Sequence, residues 1–193
     1  MDKPIHFTEV VNPTLFKSLG DDLTDSWMLN NQSYDGDGTS WGLKYTHDKI
    51  SFFEAASVIK LKIAKHVKEK TQLIKIHANG QTSLQKASFH FDFHQKKVWT
   101  FILFTEDNWN TQWGGEFIAQ DPETKKYHYT PYIPNSGVLI PSHWDHYGAS
   151  PNAYTDQLRT TLAFCYAELK TVDEIIKNHK QKPGDPRHIL RFV

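Results

Sequence analysis

In the run Phe89-His90-Phe91-Asp92-Phe93-His94, polar and apolar residues alternate. On an extended chain successive side chains point to opposite faces, so His90, Asp92 and His94 share one face and the three phenylalanines share the other. Side chains two apart on one face can converge on a point, where His90 and Asp92 would offer one nitrogen and one oxygen to the same metal ion. A strand half exposed to water would show the same alternation, and the hexapeptide alone leaves both readings open. A second histidine cluster stands in Pro141-Ser142-His143-Trp144-Asp145-His146-Tyr147-Gly148. One histidine from there would complete two imidazoles and a carboxylate, the facial set that leaves open positions on ferrous iron. Farther on comes Arg159, whose guanidinium is suited to a bidentate grip on a carboxylate. Taken singly, these are a hydrogen-bonded loop histidine or a surface ion pair; taken in order, they form a set that chance seldom produces.

Strands must position such a set, and the chain supplies them. Period-two alternation over 72–78, 88–93, 98–104, 116–120, 126–133, 138–140 and 158–166 predicts seven short strands. They are separated by Asn79-Gly80, Trp113-Gly114-Gly115, Asp121-Pro122 and Pro134-Asn135-Ser136-Gly137, which carry turn chemistry. The Gly114-Gly115 pair also suits a bulge or a close backbone contact that a β-carbon would block. Helical spacing of Phe52, Ala56, Ile59, Ile63 and Val67, with Lys60, Lys65 and Lys68 on the other face, predicts a helix over 51–70. Ser51 followed by Glu54 has the form of a capping box for its first turn. Weaker helices are expected over 14–25 and 168–177. The resulting expectation is mainly β with flanking helices, a sandwich or barrel-like core.

Composition narrows the function classes. At 193 residues the chain is one ordinary domain long, enough to bury roughly 70% of the surface it exposes unfolded. We read one domain over 1–193, with a helical part over about 1–70, a β core over about 72–166 and a C-terminal helix and tail over 167–193. The 22 basic side chains are balanced by 22 acidic ones, which argues against a nucleic-acid or acidic-membrane partner. Burial falls to 12 Phe, 8 Tyr and 6 Trp, residues that suit a half-buried sheet. A single cysteine, Cys165, offers no intramolecular disulfide and fits a reducing compartment. The start shows no charged segment leading into an apolar run, and no stretch is long and apolar enough for a membrane span, so the expectation is a soluble, cytoplasmic protein. Residues 180–187, rich in Lys, Pro and Gly, read as a tail.

His90-Phe91-Asp92, Trp109 through Trp113-Gly114-Gly115-Glu116, Pro134-Asn135-Ser136-Gly137-Val138-Leu139-Ile140-Pro141, His146 and Arg159-Thr160-Thr161 together resemble the Fe(II)- and 2-oxoglutarate-dependent oxygenases. Within them the likeness is to the prolyl 4-hydroxylase-like group, including compact phage and bacterial forms, and it extends over about 74–166. The resemblance implies a double-stranded β-helix (jelly roll, cupin-like) with iron at one open end. It implies His90, Asp92 and His146 as metal ligands, His146 being preferred to His143 because a small residue follows soon after and the loop leads to the Arg strand. Arg159 would pair the distal carboxylate of 2-oxoglutarate, with Thr161, on the same strand face, assisting. His94 is assigned to the rim. Phe104 stands where many prolyl hydroxylases place a tyrosine that bonds the cosubstrate, so binding must lean on Arg159 and Thr161.

The implied cofactors are Fe(II), 2-oxoglutarate and O2, with ascorbate as a reductant. The implied reaction is hydroxylation of an unactivated C–H bond with release of succinate and CO2. A prolyl residue or proline-like molecule is the expected substrate, on resemblance only, so the partner is a peptide or a small molecule. Trp144, Tyr147 and the stretch 30–41 are candidate rim residues. Two other classes stay in view: a cupin-like metalloenzyme that dispenses with 2-oxoglutarate and recruits His94 as a third histidine, and a non-catalytic β-sandwich binding module.

Overall fold

The computed structural model describes residues 3–24, 27–30, 40–43, 46, 48–85 and 88–178. Among the described residues, ten strands and three helices follow in the order β1 (Ile5–Phe7), α1 (Pro13–Asp22), β2 (Trp27–Asn30), β3 (Ser40–Leu43), α2 (Ile50–Ile63), β4 (Thr71–Gln81), β5 (Val98–Phe104), β6 (Phe117–Gln120), β7 (Tyr127–Thr130), β8 (Gly137–Pro141), β9 (Asp145–Gly148), β10 (Arg159–Glu168) and α3 (Leu169–Asn178). A 3-10 turn at Thr111–Trp113 precedes β6. The strands form two antiparallel sheets, one of seven in the order β1-β8-β5-β10-β4-β3-β2 and one of three in the order β7-β6-β9. This is the jelly-roll architecture of a double-stranded β-helix. No helix among the described residues is long and apolar enough to cross a membrane.

Central β10 shows how the core is divided. Leu162, Phe164 and Tyr166 point to one face and pack with Leu15, Leu19, Phe52, Ala56, Ile59 and Ile63 of the helices. Ala163 points to the other, among Phe104, Trp109, Phe117, Ala119 and Trp144 from both sheets. Cys165 and Ala167 join Ile74, Phe93, Val98, Val172 and Ile175, so α3 closes one end of the roll. The large rings carry burial, as the composition suggests, and each fully buried one is worth about 1.5–3 kcal/mol.

The helices follow from their sequences. Asn12 caps α1, its side chain accepting the Leu15 N–H at 2.9 Å, and Pro13 opens the first turn, where its missing N–H costs nothing. The expected capping box at α2 is absent: Lys49 holds the cap position and its side chain makes no capping hydrogen bond, and Ser51 Oγ instead donates to Asp22 Oδ2 at 2.5 Å, tying α2 to the end of α1. The helix stops at Ile63 rather than 70, with Val67 buried just beyond it.

Three strand expectations need correction. Asn79-Gly80 is not a turn; β4 runs through it to Gln81, paired with β10. A β-carbon at Gly80 would stand 3.0 Å from the Trp27 ring, 3.1 Å from Leu158 and 3.1 Å from Trp41, so glycine is there for close packing. The stretch 88–93 forms no regular strand, only a bridge from His90 to His146. Strands β1, β2, β3 and β9 were not foreseen. The expected tail 180–187 lies outside the described residues, as does most of 30–41, of which the ends form the edges of β2 and β3.

Candidate metal centre

Backbone pairing brings the two histidine clusters together. The His90 N–H donates to the His146 carbonyl at 3.0 Å and the His146 N–H to the His90 carbonyl at 2.8 Å, which sets the imidazoles 4.6 Å apart between centroids. Next to them, Asp92 is fixed by its N–H to the Ser142 carbonyl at 2.9 Å. One ligand atom from each of His90, Asp92 and His146 lies within 4.8 Å of the others. Among the described residues this is the one group of three His, Cys, Asp or Glu side chains that could share an ion.

The proton positions suit a metal. His90 Nδ1 lies 3.1 Å from the Ser88 carbonyl and His146 Nδ1 2.9 Å from the Trp144 carbonyl. A carbonyl can only accept, so each Nδ1 carries the hydrogen and each Nε2 presents a lone pair. Burial, reinforced by His90, lowers the His146 pKa to about 4, so the ring is neutral at pH 7. Burial works against charge on Asp92, but its neighbours, among them the Lys75 ammonium, hold its carboxyl below the usual range. Thr100 Oγ1 donates to Asp92 Oδ2 at 2.6 Å and lies 2.8 Å from Ser142 Oγ. Two neutral imidazoles and one carboxylate are the donor set that suits ferrous iron and keeps part of its coordination sphere free.

Arg159 sits at the start of β10 with only 2% of its surface exposed. Its Nε donates to the Gly115 carbonyl at 2.7 Å and Nη1 to Gln81 Oε1 at 3.1 Å, while Gln81 Nε2 donates to the Gly148 carbonyl at 3.0 Å. The Tyr132 ring lies 5.3 Å from the guanidinium carbon. Burial lowers its pKa to about 10, so it stays cationic. No carboxylate pairs with it among the described residues. A buried cation without a counter-ion is costly, and its remaining N–H donors fit an incoming carboxylate. Thr161, buried on the same face of β10, makes no side-chain hydrogen bond among the described residues.

The other candidates separate clearly. His143 is partly exposed and His94 exposed, its ring 4.3 Å from Phe91; neither joins the three-residue group. Trp144 is not at the rim but buried in the core, while Tyr147 packs against Phe89 at 4.6 Å. Phe104 stacks on Tyr132 at 4.7 Å. The Tyr132 hydroxyl accepts the Thr105 and Glu106 N–H groups and donates to the Thr160 carbonyl at 2.5 Å, so it offers nothing to a ligand. Sequence reasoning missed Gln81, Gly148, Thr100 and His77. Gln81 and His77 have a signal, since they stand two residues either side of Asn79 on one strand face; Thr100 and Gly148 have none without the fold.

No protein-family model matches the chain, and no curated protein matches it in sequence. Solved structures do match in fold. A non-heme alpha-ketoglutarate-dependent epimerase, SnoN of nogalamycin biosynthesis, aligns with a TM-score of 0.69 at 12% identity, over 99% of this chain and 94% of its own. A prolyl hydroxylase from Trichoplax adhaerens, solved with a hypoxia-inducible-factor peptide, aligns with a TM-score of 0.66 at 11% identity, over 93% of this chain and 89% of its own. HygX from Streptomyces hygroscopicus, solved with nickel and 2-oxoglutarate, aligns with a TM-score of 0.64 at 10% identity, over 86% of this chain and 83% of its own. The chain shares with them the double-stranded β-helix.

Proposed function

We propose that this chain is an Fe(II)- and 2-oxoglutarate-dependent oxygenase that hydroxylates an unactivated C–H bond. The observation that carries the reading is the pairing of the His90, Asp92 and His146 group with a buried Arg159 that has no carboxylate partner among the described residues. A metalloenzyme without a dicarboxylate cosubstrate would leave that guanidinium buried for no purpose, and a binding module would need neither feature. The fold neighbours include proteins whose names state use of alpha-ketoglutarate or prolyl hydroxylation. A proline-like or prolyl substrate remains the reading for the molecule oxidised, on the resemblance of the motifs.

Bound iron with the keto acid would supply O2 activation coupled to oxidative decarboxylation. The chain's own groups do the rest. His90 and His146 would hold the metal through Nε2, each ring fixed in tautomer and direction by the carbonyl on its Nδ1. Asp92 would be the charged ligand, with Thr100 leaving its second lone pairs oriented. Arg159 would take the distal carboxylate, itself aimed by Gly115 and Gln81. Phe117, whose ring lies 5.4 Å from His146, and the apolar residues behind it would keep water from the reacting carbon.

Anaerobic addition of Fe(II) and then 2-oxoglutarate is expected to produce the weak visible charge-transfer band of a keto acid chelated to ferrous iron. Absence of the band with iron demonstrably bound would reject the oxygenase reading.

A further inference from the structure

Three polar side chains in a row on β4 face the interior, and none has a side-chain hydrogen bond or ion pair among the described residues. Cross-strand partners share a face, and β4 pairs with β10 so that Lys75 stands opposite Cys165, His77 opposite Ala163, Asn79 opposite Thr161 and Gln81 opposite Arg159. Cys165 and Ala163 are buried inside the roll, so the β4 row looks into the same interior. The inward residues of β5, β8 and β10 are buried, whereas Lys75, His77 and Asn79 are partly exposed. The interior therefore opens along β4.

Gln81 is engaged by Arg159 and Gly148. The other three make no side-chain hydrogen bond or ion pair among the described residues, and Nδ1 of His77 is buried without a partner. The row is close to the metal group: Cys165, opposite Lys75, has its Sγ 3.7 Å from Thr100 Oγ1, which donates to Asp92 Oδ2 at 2.6 Å. If 2-oxoglutarate binds as proposed, one carboxylate meets Arg159 and the other chelates the metal. The cosubstrate then has no anionic group left for the Lys75 ammonium.

We infer that Lys75, flanked by His77 and Asn79, recognises a carboxylate on the primary substrate, so that the molecule oxidised at this centre is an acid rather than an uncharged stretch of polypeptide. The carboxylate could belong to a free amino or imino acid or to an acidic residue of a peptide. The inference rests on the oxygenase reading above and narrows its substrate class.

The test uses the full chain loaded with Mn(II), which occupies an iron site without turnover, and saturating 2-oxoglutarate, binding of both being measured first. Trifluoroacetate serves as the carboxylate probe and trifluoroethanol as its neutral control, each followed by 19F relaxation. The expected result is saturable paramagnetic relaxation of trifluoroacetate alone, weakened about tenfold or more in Lys75→Met and retained in Lys75→Arg, with the affinities for Mn(II) and 2-oxoglutarate held. Displacement of the probe by L-proline but not by prolinamide marks a free acid; displacement by an end-blocked Asp-Pro peptide marks an acidic side chain. No saturable relaxation on the loaded protein, or equal relaxation in Lys75→Met, overturns the inference. Loss of 2-oxoglutarate binding in Lys75→Met also overturns it, because the lysine then belongs to the cosubstrate. Failure of Mn(II) and 2-oxoglutarate to bind at all rejects the oxygenase reading instead.

Discussion

Asp92 and Arg159 are both buried charges, but their surroundings ask different things of them. Asp92 accepts from Thr100 and lies 3.6 Å from His146 Nε2, so its charge is already directed at the point where a cation would sit. Asp92→Ala is expected to abolish Fe(II) binding, and turnover with it, because two neutral imidazoles alone hold ferrous iron weakly. Equilibrium dialysis against Fe(II) or Mn(II) checks this, and unchanged affinity would move the carboxylate ligand elsewhere. Arg159 touches no member of the metal group. Arg159→Met should leave metal affinity nearly intact and weaken 2-oxoglutarate by about ten- to a hundredfold, the range expected for losing a charge-assisted hydrogen bond. Calorimetric titration of 2-oxoglutarate into the Mn(II) protein reads it, and lost metal with normal cosubstrate affinity would contradict the assignment. The two histidines of the second cluster can be separated in the same way. His146→Ala should lose the metal, and His143→Ala should retain it, since only His146 lies within 4.8 Å of both other candidates.

At the scale of elements, the placement of Arg159 depends on a glycine in another sheet. A β-carbon on Gly148 of β9 would stand 2.7 Å from Arg159 Nη1 and 2.8 Å from Nη2, closer than side-chain atoms approach. Gly148→Ala should therefore push the guanidinium aside and weaken 2-oxoglutarate in the direction of Arg159→Met while metal binding persists. The same titration decides it, and wild-type affinity in the variant would show that the guanidinium position is not what holds the cosubstrate. Such a dependence could not be read from the chain, because Gly148 and Arg159 meet only after β9 and β10 enter different sheets. What was legible depended on local period. The run Val98–Phe104 is a strand as expected, and the helix around Phe52, Ala56, Ile59 and Ile63 stands where the spacing put it. Asn79-Gly80 misled because tertiary packing of Trp27 and Trp41 needs the glycine within a strand, and turn chemistry was the only local reading available. At 88–93 the alternation correctly put His90 and Asp92 on one side, although the stretch pairs only through His90. Strands β1, β2 and β3 are three or four residues long, too short for periodicity to register, and they depend on their neighbours for pairing.

For the molecule as a whole, net charge near zero leaves no broad field to draw anions, so two placed cations and a metal must do so, and the fold should report their occupancy. Without bound metal the centre also has a pH cost. Burial lowers His146 to about 4, below an unfolded value near 6.5, so between those values the unfolded chain binds more protons than the folded one. The resulting stability is fully present above about pH 6.5 and falls as the pH drops toward 4, by about 2 kcal/mol from this group between pH 7 and 5. His77, lowered to about 3 chiefly by burial, acts in the same direction. A metal with 2-oxoglutarate binds only the folded chain, and each ligand at about a hundred times its dissociation constant adds about 2.7 kcal/mol. For a chain of this length each kcal/mol moves the melting temperature by about 2–4 °C. Thermal melts at pH 7 are therefore expected to rise by about 5–10 °C with saturating Mn(II), and further with 2-oxoglutarate. At pH 5 the metal-free protein should melt lower, while the folded His146, at about 4, is still mostly neutral there, so protons at this nitrogen take little from the metal shift until the pH nears 4. In Asp92→Ala the metal shift should vanish while the acid sensitivity of the metal-free protein, which resides in His146 and His77, remains. A metal shift that survived in that variant would place the ion elsewhere in the fold.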